Sequence, residues 1–149
     1  MIAFVTAGSG FLLAVLWFDL MFDVQVLGHE AGELSEDVLA SVSSYYRRVT
    51  TAARPMNQLI AVVMLATLAS IVAEILDGDT SSWVAWASLA LAAGAILTAA
   101  LRTVPSAVRL GTRRDSVDRQ SALARSILHQ HLGCIAAISA VLVLQLASS

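Results

Sequence analysis

Long apolar stretches separated by polar ones dominate the hydropathy pattern of this chain. Four apolar stretches approach the roughly 20 residues that a helix needs to cross a membrane. They are about Ile2–Leu27, Met56–Leu76, Trp83–Leu101 and Leu132–Ala147. The pattern predicts an all-α fold: an integral membrane four-helix bundle that forms a single domain over residues 1–149.

The two longer polar stretches are expected to contain helices of their own. Ser35, followed by two acidic residues, is typical of a helix start, because its hydroxyl can cap the first turn. Apolar side chains then recur at helical spacing: Val38, Val42, Tyr45 and Val49. Pro105 is expected to open a short helix, and Ser116 to cap another that runs into the fourth apolar segment.

Small residues form stripes at helical spacing on the second and third apolar segments. The stripes are Ala66, Ser70 and Glu74, and Ala90, Gly94 and Thr98. Because small side chains let membrane helices approach closely, both stripes predict tight packing inside the bundle. Glu74 ends its stripe near the membrane surface and is interpreted mainly as an interfacial carboxylate.

Arginine placement predicts the orientation. All nine basic residues are arginines and lie in the two longer polar stretches: Arg47, Arg48, Arg54, Arg102, Arg109, Arg113, Arg114, Arg119 and Arg125. The positive-inside rule therefore predicts an N-out/C-out protein with two cytoplasmic helical loops. The arginines either control topology alone or also contact anionic lipid headgroups.

Composition agrees with a membrane protein. The chain is 58% hydrophobic and 13% charged, whereas soluble domains average about 25% charged residues. No phosphate loop, zinc-finger spacing or nucleic-acid module is present, so no nucleic-acid partner is expected. The absence of lysine and the abundance of alanine suggest a GC-rich bacterial genome, and hence a multi-pass protein of the bacterial inner (plasma) membrane.

Two carboxylates interrupt the first apolar stretch. Asp19 and Asp23 are four residues apart, so they share one face of a helix. An ionisable side chain inside a membrane is costly unless it is paired, which makes it a candidate functional group. An ion pair between Asp19 and Arg54 or Arg102 is the expected use of these charges.

Polar residues from all four segments are expected to meet at the cytoplasmic boundary. Six are candidate catalytic residues: Asp19, Asp23, Arg54, Asn57, Arg102 and His129. The aspartates would act as acid, base or ligand, the arginines would stabilise charge, and the amide would donate a hydrogen bond. His129 would shuttle protons or act as a ligand, since its unperturbed pKa is about 6.5.

A metal ion is a further hypothesis for this boundary, and no cofactor is specified beyond it. Carboxylate and imidazole groups could hold iron, manganese or zinc, with these candidates: Asp19, Asp23, His29, His129 and His131. His129 and His131 point about 200° apart on a regular helix, so at most one of them faces the bundle interior.

Two family resemblances bear on function. About 150 residues, four spans, a glycine-rich opening and Arg54-Pro55 resemble the anthrone-oxygenase-like family, which implies oxidation of an aromatic or other lipophilic molecule without a tightly bound cofactor. The length and spans also resemble the membrane-associated eicosanoid and glutathione metabolism proteins, as does Arg54 followed by Asn57. That second pattern expects glutamate where this chain has Ile60.

Three classes of function remain open. The first is a membrane-embedded enzyme of the oxidoreductase or oxygenase type that performs oxidation or proton transfer on a lipophilic small molecule at the cytoplasmic end. The second is a small oligomeric ion or proton transporter, or a channel subunit. The third is an accessory subunit of a larger membrane complex. The expected partners are membrane lipid, a lipophilic small molecule, and either further copies of the chain or a membrane partner subunit.

Overall fold

A computed structural model describes residues 1–28, 32–78 and 81–148, with the Arg54 side chain excluded. These residues form helices and no strand. The α-helices are α1 (Ile2–Asp23), α2 (Glu36–Arg47), α3 (Arg54–Asp77), α4 (Ser82–Thr98), α5 (Val104–Thr112) and α6 (Val117–Ala147). Helices α2 and α6 begin directly after Ser35 and Ser116, as predicted.

Four helical stretches are long and apolar enough to cross a membrane: Ile2–Val26, Pro55–Asp77, Ser82–Thr112 and Val117–Ala147. The all-α, four-helix membrane fold is therefore confirmed. The third stretch passes from α4 into α5 through a π-helical turn, Ala99–Thr103. The fourth has 31 residues, about 47 Å of helix, so it extends well beyond a hydrocarbon core of about 30 Å.

The four long helices form a square. Helix α1 packs against α3 and α6, and α4 packs against the same two helices. Sequential neighbours run antiparallel, because each connection returns the chain across the bundle. This arrangement places α1 diagonally opposite α4, and α3 diagonally opposite α6.

Three apolar layers follow one another along the bundle axis. The terminal layer lies where the chain begins and ends, and is built around Val5, Ile71, Ala92 and Val141. The middle layer contains Leu12, Ala95, Cys134 and Ile138. The loop-side layer joins α2, α5 and the first half of α6 through Leu39, Val42, Leu110, Ile127 and Leu128, among others.

Close backbone contact and ion pairs hold the loop-side layer together. Gly111 on α5 lies so near α2 that a Cβ atom there would be 3.0 Å from the backbone nitrogen of Arg47. Arg109 binds Asp115 with two hydrogen bonds of 2.7 and 2.8 Å. Arg113, which has a left-handed backbone (φ 52°), donates to Glu36 at 2.8 Å.

The small-residue stripes do not pack the bundle as predicted. Ala66, Ala90 and Gly94 are exposed at the protein surface. The buried face of α4 is a different one, and comprises Val84, Ala85, Ser88, Ala92 and Ala95. Close approach inside the bundle instead involves Gly8 of α1, where an added Cβ would collide with Thr67 of α3.

Candidate functional site

Five polar side chains meet where the bundle joins the loop-side layer. Asp19 and Asp23 come from consecutive turns of α1, the adjacent Tyr45 and Tyr46 come from α2, and His131 comes from α6. We call this group the Asp–Tyr–His cluster. It joins two membrane-crossing helices to one helix of the loop-side layer.

Asp23 lies at the centre of the cluster and is 0% exposed. One of its carboxylate oxygens accepts a hydrogen bond of 2.5 Å from the Tyr46 hydroxyl. Its other oxygen lies 2.6 Å from Nδ1 of His131. Both oxygens therefore have a partner, which is the condition under which a buried carboxylate is tolerated.

Asp19 makes the second half of the cluster. It accepts a hydrogen bond of 2.6 Å from the Tyr45 hydroxyl, and its other oxygen lies 3.8 Å from Nε2 of His131. The Tyr45 ring stacks on Phe22, with ring centroids 3.9 Å apart. The imidazole of His131 thus lies between the two carboxylates and links them.

Electrostatics keep the two tyrosines in their hydroxyl form. Burial, followed by the hydrogen bond and charge of Asp19, raises the pKa of Tyr45 above its usual range. Burial and the charge of Asp23 raise the pKa of Tyr46 in the same direction. Both phenols therefore remain hydrogen-bond donors at neutral pH.

The geometry of the cluster is that of a closed polar clamp. Asp23, Tyr46 and His131 are each at most 6% exposed. Neither the groove between α4 and α6 nor the cleft beside Arg47 and Arg48 is lined by the five side chains. The cluster is a set of paired polar side chains that hold three helices together, and neither of these two clefts opens onto it.

Of the candidate catalytic and metal-binding residues predicted from the sequence, the structure brings together Asp19, Asp23 and His131. His129 is exposed, and its Nδ1 lies 2.8 Å from the carbonyl oxygen of Arg125. As predicted, only one of His129 and His131 faces the interior, because residues two apart lie on opposite sides of a helix.

The remaining predicted residues lie elsewhere. Asn57 is exposed and donates to the carbonyl oxygen of Val49 at 2.7 Å. Arg102 is exposed in the π-helical turn, and Asp19 pairs with Tyr45 and His131 rather than with it. Arg54 begins α3 with an undescribed side chain, and His29 lies outside the described residues. The expected ion pair with Arg102 is thus replaced by bonds to α2 and α6.

Among residues 1–28, 32–78 and 81–148, no three His, Cys, Asp or Glu side chains are grouped as a metal site. In the cluster, phenol and imidazole groups already occupy both oxygens of Asp23. Asp23, one of the carboxylates that a metal would use, is therefore committed to hydrogen bonds within the protein.

Sequence reasoning missed Tyr45 and Tyr46 as members of this site. Tyr45 follows the apolar spacing of α2, which predicted its burial but not its hydroxyl partner. A tyrosine is amphipathic, so one side chain can complete an apolar face and also bond a carboxylate. Which side of α2 is turned toward the aspartates depends on tertiary packing, and the spacing of residues along one helix does not determine it.

A second buried polar group lies near the terminal layer. Glu74 of α3 is 1% exposed, and its Oε2 accepts a hydrogen bond of 3.0 Å from the Gln145 amide. The same amide lies 3.3 Å from the Ser88 hydroxyl of α4. The preferred interpretation of Glu74 as an interfacial carboxylate is therefore wrong, since three helices enclose it.

Comparison with known proteins identifies one family. The family model named SHR3 chaperone, described as ER membrane protein SH3, matches residues 1–148. No curated protein matches this chain, and no solved structure matches it either. The family match spans every helix described above.

The match overturns both resemblances drawn from the sequence. The family is neither anthrone-oxygenase-like nor one of eicosanoid and glutathione metabolism. Four spans and about 150 residues describe many small membrane proteins, and Arg54-Pro55 occurs at an ordinary helix start. The shared layout was therefore too general to identify a family.

The predicted activity and location are also wrong. A chaperone family does not support an oxidoreductase or another enzyme acting on a lipophilic small molecule, and the accessory-subunit alternative fits better. The family belongs to the endoplasmic reticulum membrane, not the bacterial inner membrane. The bacterial location was inferred from the arginine and alanine content of the chain, and amino-acid content does not specify a membrane or compartment. The multi-pass membrane prediction is consistent with the family.

Proposed function

Because this chain belongs to the SHR3 chaperone family, we propose that it is a membrane-embedded chaperone that associates with another membrane protein in the ER membrane. The observation that carries this proposal is the extent of the family match, residues 1–148. The match includes the whole bundle together with its loop-side layer, so the proposal concerns the entire fold described here.

The chemistry of the buried polar groups supports an accessory role. Asp23 has partners on both oxygens, and Asp19 is held by Tyr45 and His131. Buried polar networks whose members are paired in this way rigidify a fold and specify how its helices pack. We assign the Asp–Tyr–His cluster the structural task of fixing α2 to the bundle.

Lipid is the second partner that we propose. Large apolar side chains point outward from the bundle, including Trp17, Phe18, Leu65 and Leu76, each at least 63% exposed. At this position in a membrane-crossing helix, such side chains are stable only against acyl chains or another apolar helix. The surface is therefore available both to lipid and to a membrane client.

The test removes the protein from the ER of its host and follows other membrane proteins. We expect a subset of polytopic membrane proteins to become detergent-insoluble in the ER fraction, as measured by quantitative mass spectrometry. Re-expression of the wild-type chain restores their solubility. If every polytopic protein keeps its solubility and location after depletion, the chaperone proposal is wrong.

A further inference from the structure

A cleft that contains two arginines opens where α2 passes into α3. It lies beside Arg47 and Arg48, and Ser44, Thr51 and Ala52 complete its lining. Its volume is about 390 Å³, which lies within the range of about 300–1,000 Å³ that is common for ligand-binding clefts. This space, which we call the arginine cleft, is large enough for a compact polar ligand.

The two guanidinium groups of the arginine cleft are not used by the fold. Arg109, Arg113 and Arg125 each bond a group within the chain. Arg47 and Arg48 are both exposed, and neither forms an ion pair in the part of the chain that the structure describes. Two neighbouring positive charges that no described side chain neutralises attract an anion from outside the protein.

The backbone of the arginine cleft is fixed by contacts with α3 and α5. Helix α5 approaches the backbone of Arg47 closely at Gly111. The next residue begins the π-helical turn Arg48–Ala52, and the Asn57 side chain of α3 donates to the Val49 carbonyl oxygen in that turn at 2.7 Å. Single π-helical turns are frequent at functional sites. A fixed backbone also reduces the conformational entropy that is lost when two side chains close on one ligand.

The arginine cleft lies at the level of the membrane boundary. Tyr46, the residue before Arg47, bonds Asp23 near the end of the span Ile2–Val26. The span Pro55–Asp77 begins shortly after the last residue of the cleft. Lipid headgroups occupy this level, directly outside the hydrocarbon core. The anions nearest to the two guanidinium groups are therefore lipid phosphates, which favours a lipid over an acidic protein segment as the ligand.

From these observations we infer that the arginine cleft binds a lipid headgroup that carries a phosphomonoester. A phosphomonoester has a charge of about −1.5 to −2 at neutral pH and three acceptor oxygens, whereas the phosphodiester of an ordinary phospholipid has a single charge. Two guanidinium groups match the first in charge, and each can donate two parallel hydrogen bonds to phosphate oxygens. The Ser44 hydroxyl of the same cleft can donate one more. The inference rests on the lipid partner proposed above and names its headgroup.

The test measures lipid binding to the full-length protein in detergent by native mass spectrometry. Three lipids with the same acyl chains are compared: phosphatidylinositol 4-phosphate, which carries a phosphomonoester, and phosphatidylinositol and phosphatidylserine, which do not. We expect the first lipid to bind about tenfold more tightly than either of the others, because it makes additional charge-assisted hydrogen bonds. Equal affinity for the three lipids would overturn the inference.

Two double variants test whether the arginine cleft is the site. Arg47→Gln together with Arg48→Gln should abolish the tenfold preference, so that the three lipids bind alike. Arg114→Gln together with Arg119→Gln is the matched control, because both arginines are exposed at the same end of the bundle and lie outside the cleft. It removes the same charge and should keep the preference. If the control loses the preference as well, the binding is due to overall charge and the inference is wrong. Unfolding midpoints equal to wild type show that both variants retain the fold.

Two competitors identify the source of the phosphate. Glycerophosphoinositol 4-phosphate, the same headgroup without acyl chains, should displace the lipid only at about tenfold or more higher concentration, because acyl chains add apolar contact with the helices. Displacement at equal concentration would make the cleft a site for a soluble phosphate and overturn the lipid. A peptide of glutamate residues that displaces the lipid equally well would identify a protein ligand and overturn it too. The depletion experiment is unaffected by these results, so a wrong headgroup can be distinguished from a wrong chaperone function.

Discussion

Asp23 illustrates how a single residue shapes this protein. Its carboxylate is fully buried at the end of a membrane-crossing helix, yet it joins α2 and α6 through Tyr46 and His131. Burying an ion is costly, so such a group stabilises a fold only while its partners remain in place. Because Asp23 bonds both α2 and α6, the packing of α2 on the bundle depends on the position of α6.

Asp23→Ala is expected to destabilise the protein by about 3 kcal/mol, because it leaves the Tyr46 hydroxyl and His131 buried without their acceptor. Denaturant unfolding in detergent, followed by circular dichroism, measures the change. Asp77→Asn is the control: this exposed carboxylate ends α3 and should change stability by less than about 0.5 kcal/mol. Equal stability of both variants would show that Asp23 does not hold the three helices together.

The two tyrosines each donate a hydrogen bond to an aspartate but differ in how deeply they are buried. Tyr46 is 2% exposed, whereas Tyr45 is only partly buried. Tyr46→Phe should therefore cost about 1–3 kcal/mol of unfolding free energy, and Tyr45→Phe about 1 kcal/mol or less, since the ring that stacks on Phe22 is kept. The same unfolding measurement ranks the two variants. A larger loss for Tyr45→Phe would contradict the burial difference.

At the scale of helices, α2 and α5 form a small layer attached to a membrane bundle. They are joined by the close approach at Gly111 and by the surface ion pair between Arg113 and Glu36, while a second pair, between Arg109 and Asp115, links α5 to the connection that follows it. Neither ion pair is deeply buried, so each contributes modestly and depends on salt. The pairs act on the α5–α6 connection, where Arg113 holds its left-handed backbone.

Acid is expected to loosen this connection. Hydrogen bonds from Arg113 and Arg109 lower the pKa of Glu36 and of Asp115 below their ordinary values of 4.5 and 3.8. A lowered folded-state pKa contributes stability above the unfolded-state pKa and loses it as pH falls through the folded-state value. Amide hydrogen exchange of α5 should therefore quicken, relative to α1, as pH falls below about 4. A Glu36→Gln, Asp115→Asn double variant should exchange quickly at neutral pH and lack this acid step.

Sequence patterns predicted the helices far better than their contacts. Apolar runs located four spans, and Ser35 and Ser116 marked two helix starts. The third span was expected to end at Leu101, before Arg102, but the helix continues through a π-helical turn. A charge at the membrane boundary ends the apolar run without ending the helix, so hydropathy underestimates the length of such helices.

The candidate site was only partly predictable for the same reason. The spacing of Asp19 and Asp23 predicted a shared face, which the structure has. Which helix would meet that face depends on the rotation of α2 and α6 about their axes, and neither periodicity nor charge specifies it. Arg102 and Asn57 lie at the predicted boundary but face outward, so proximity along the membrane normal did not bring them into the site.

At the scale of the whole molecule, the bundle is asymmetric along its axis. At the terminal end, Gly78 follows α3 with a left-handed backbone (φ 71°), and α4 begins at Ser82. The opposite end carries α2, α5 and every arginine. In an ER membrane, the positive-inside rule predicts that this arginine-rich end lies in the cytosol and both chain ends lie in the lumen.

Glycosylation in ER microsomes tests this orientation. An Asn-x-Thr acceptor on a tail added after Ser149 should be glycosylated, because the modifying enzyme acts only in the lumen. The same acceptor inserted after Arg114, in the α5–α6 connection, should remain unmodified. A gel shift upon translation with microsomes reports the result. Modification of the second site in place of the first would reverse the topology.

The single thiol of the chain has a consequence for how the protein matures. Cys134 is buried between α6 and α4, where its sulfur lies 3.6 Å from the carbonyl oxygen of Ala95. With no second cysteine in the sequence, no disulfide forms within this chain, so its folding requires no disulfide oxidase and no disulfide isomerase. For the chaperone function proposed above, this means that the fold does not depend on the redox state of the compartment around it.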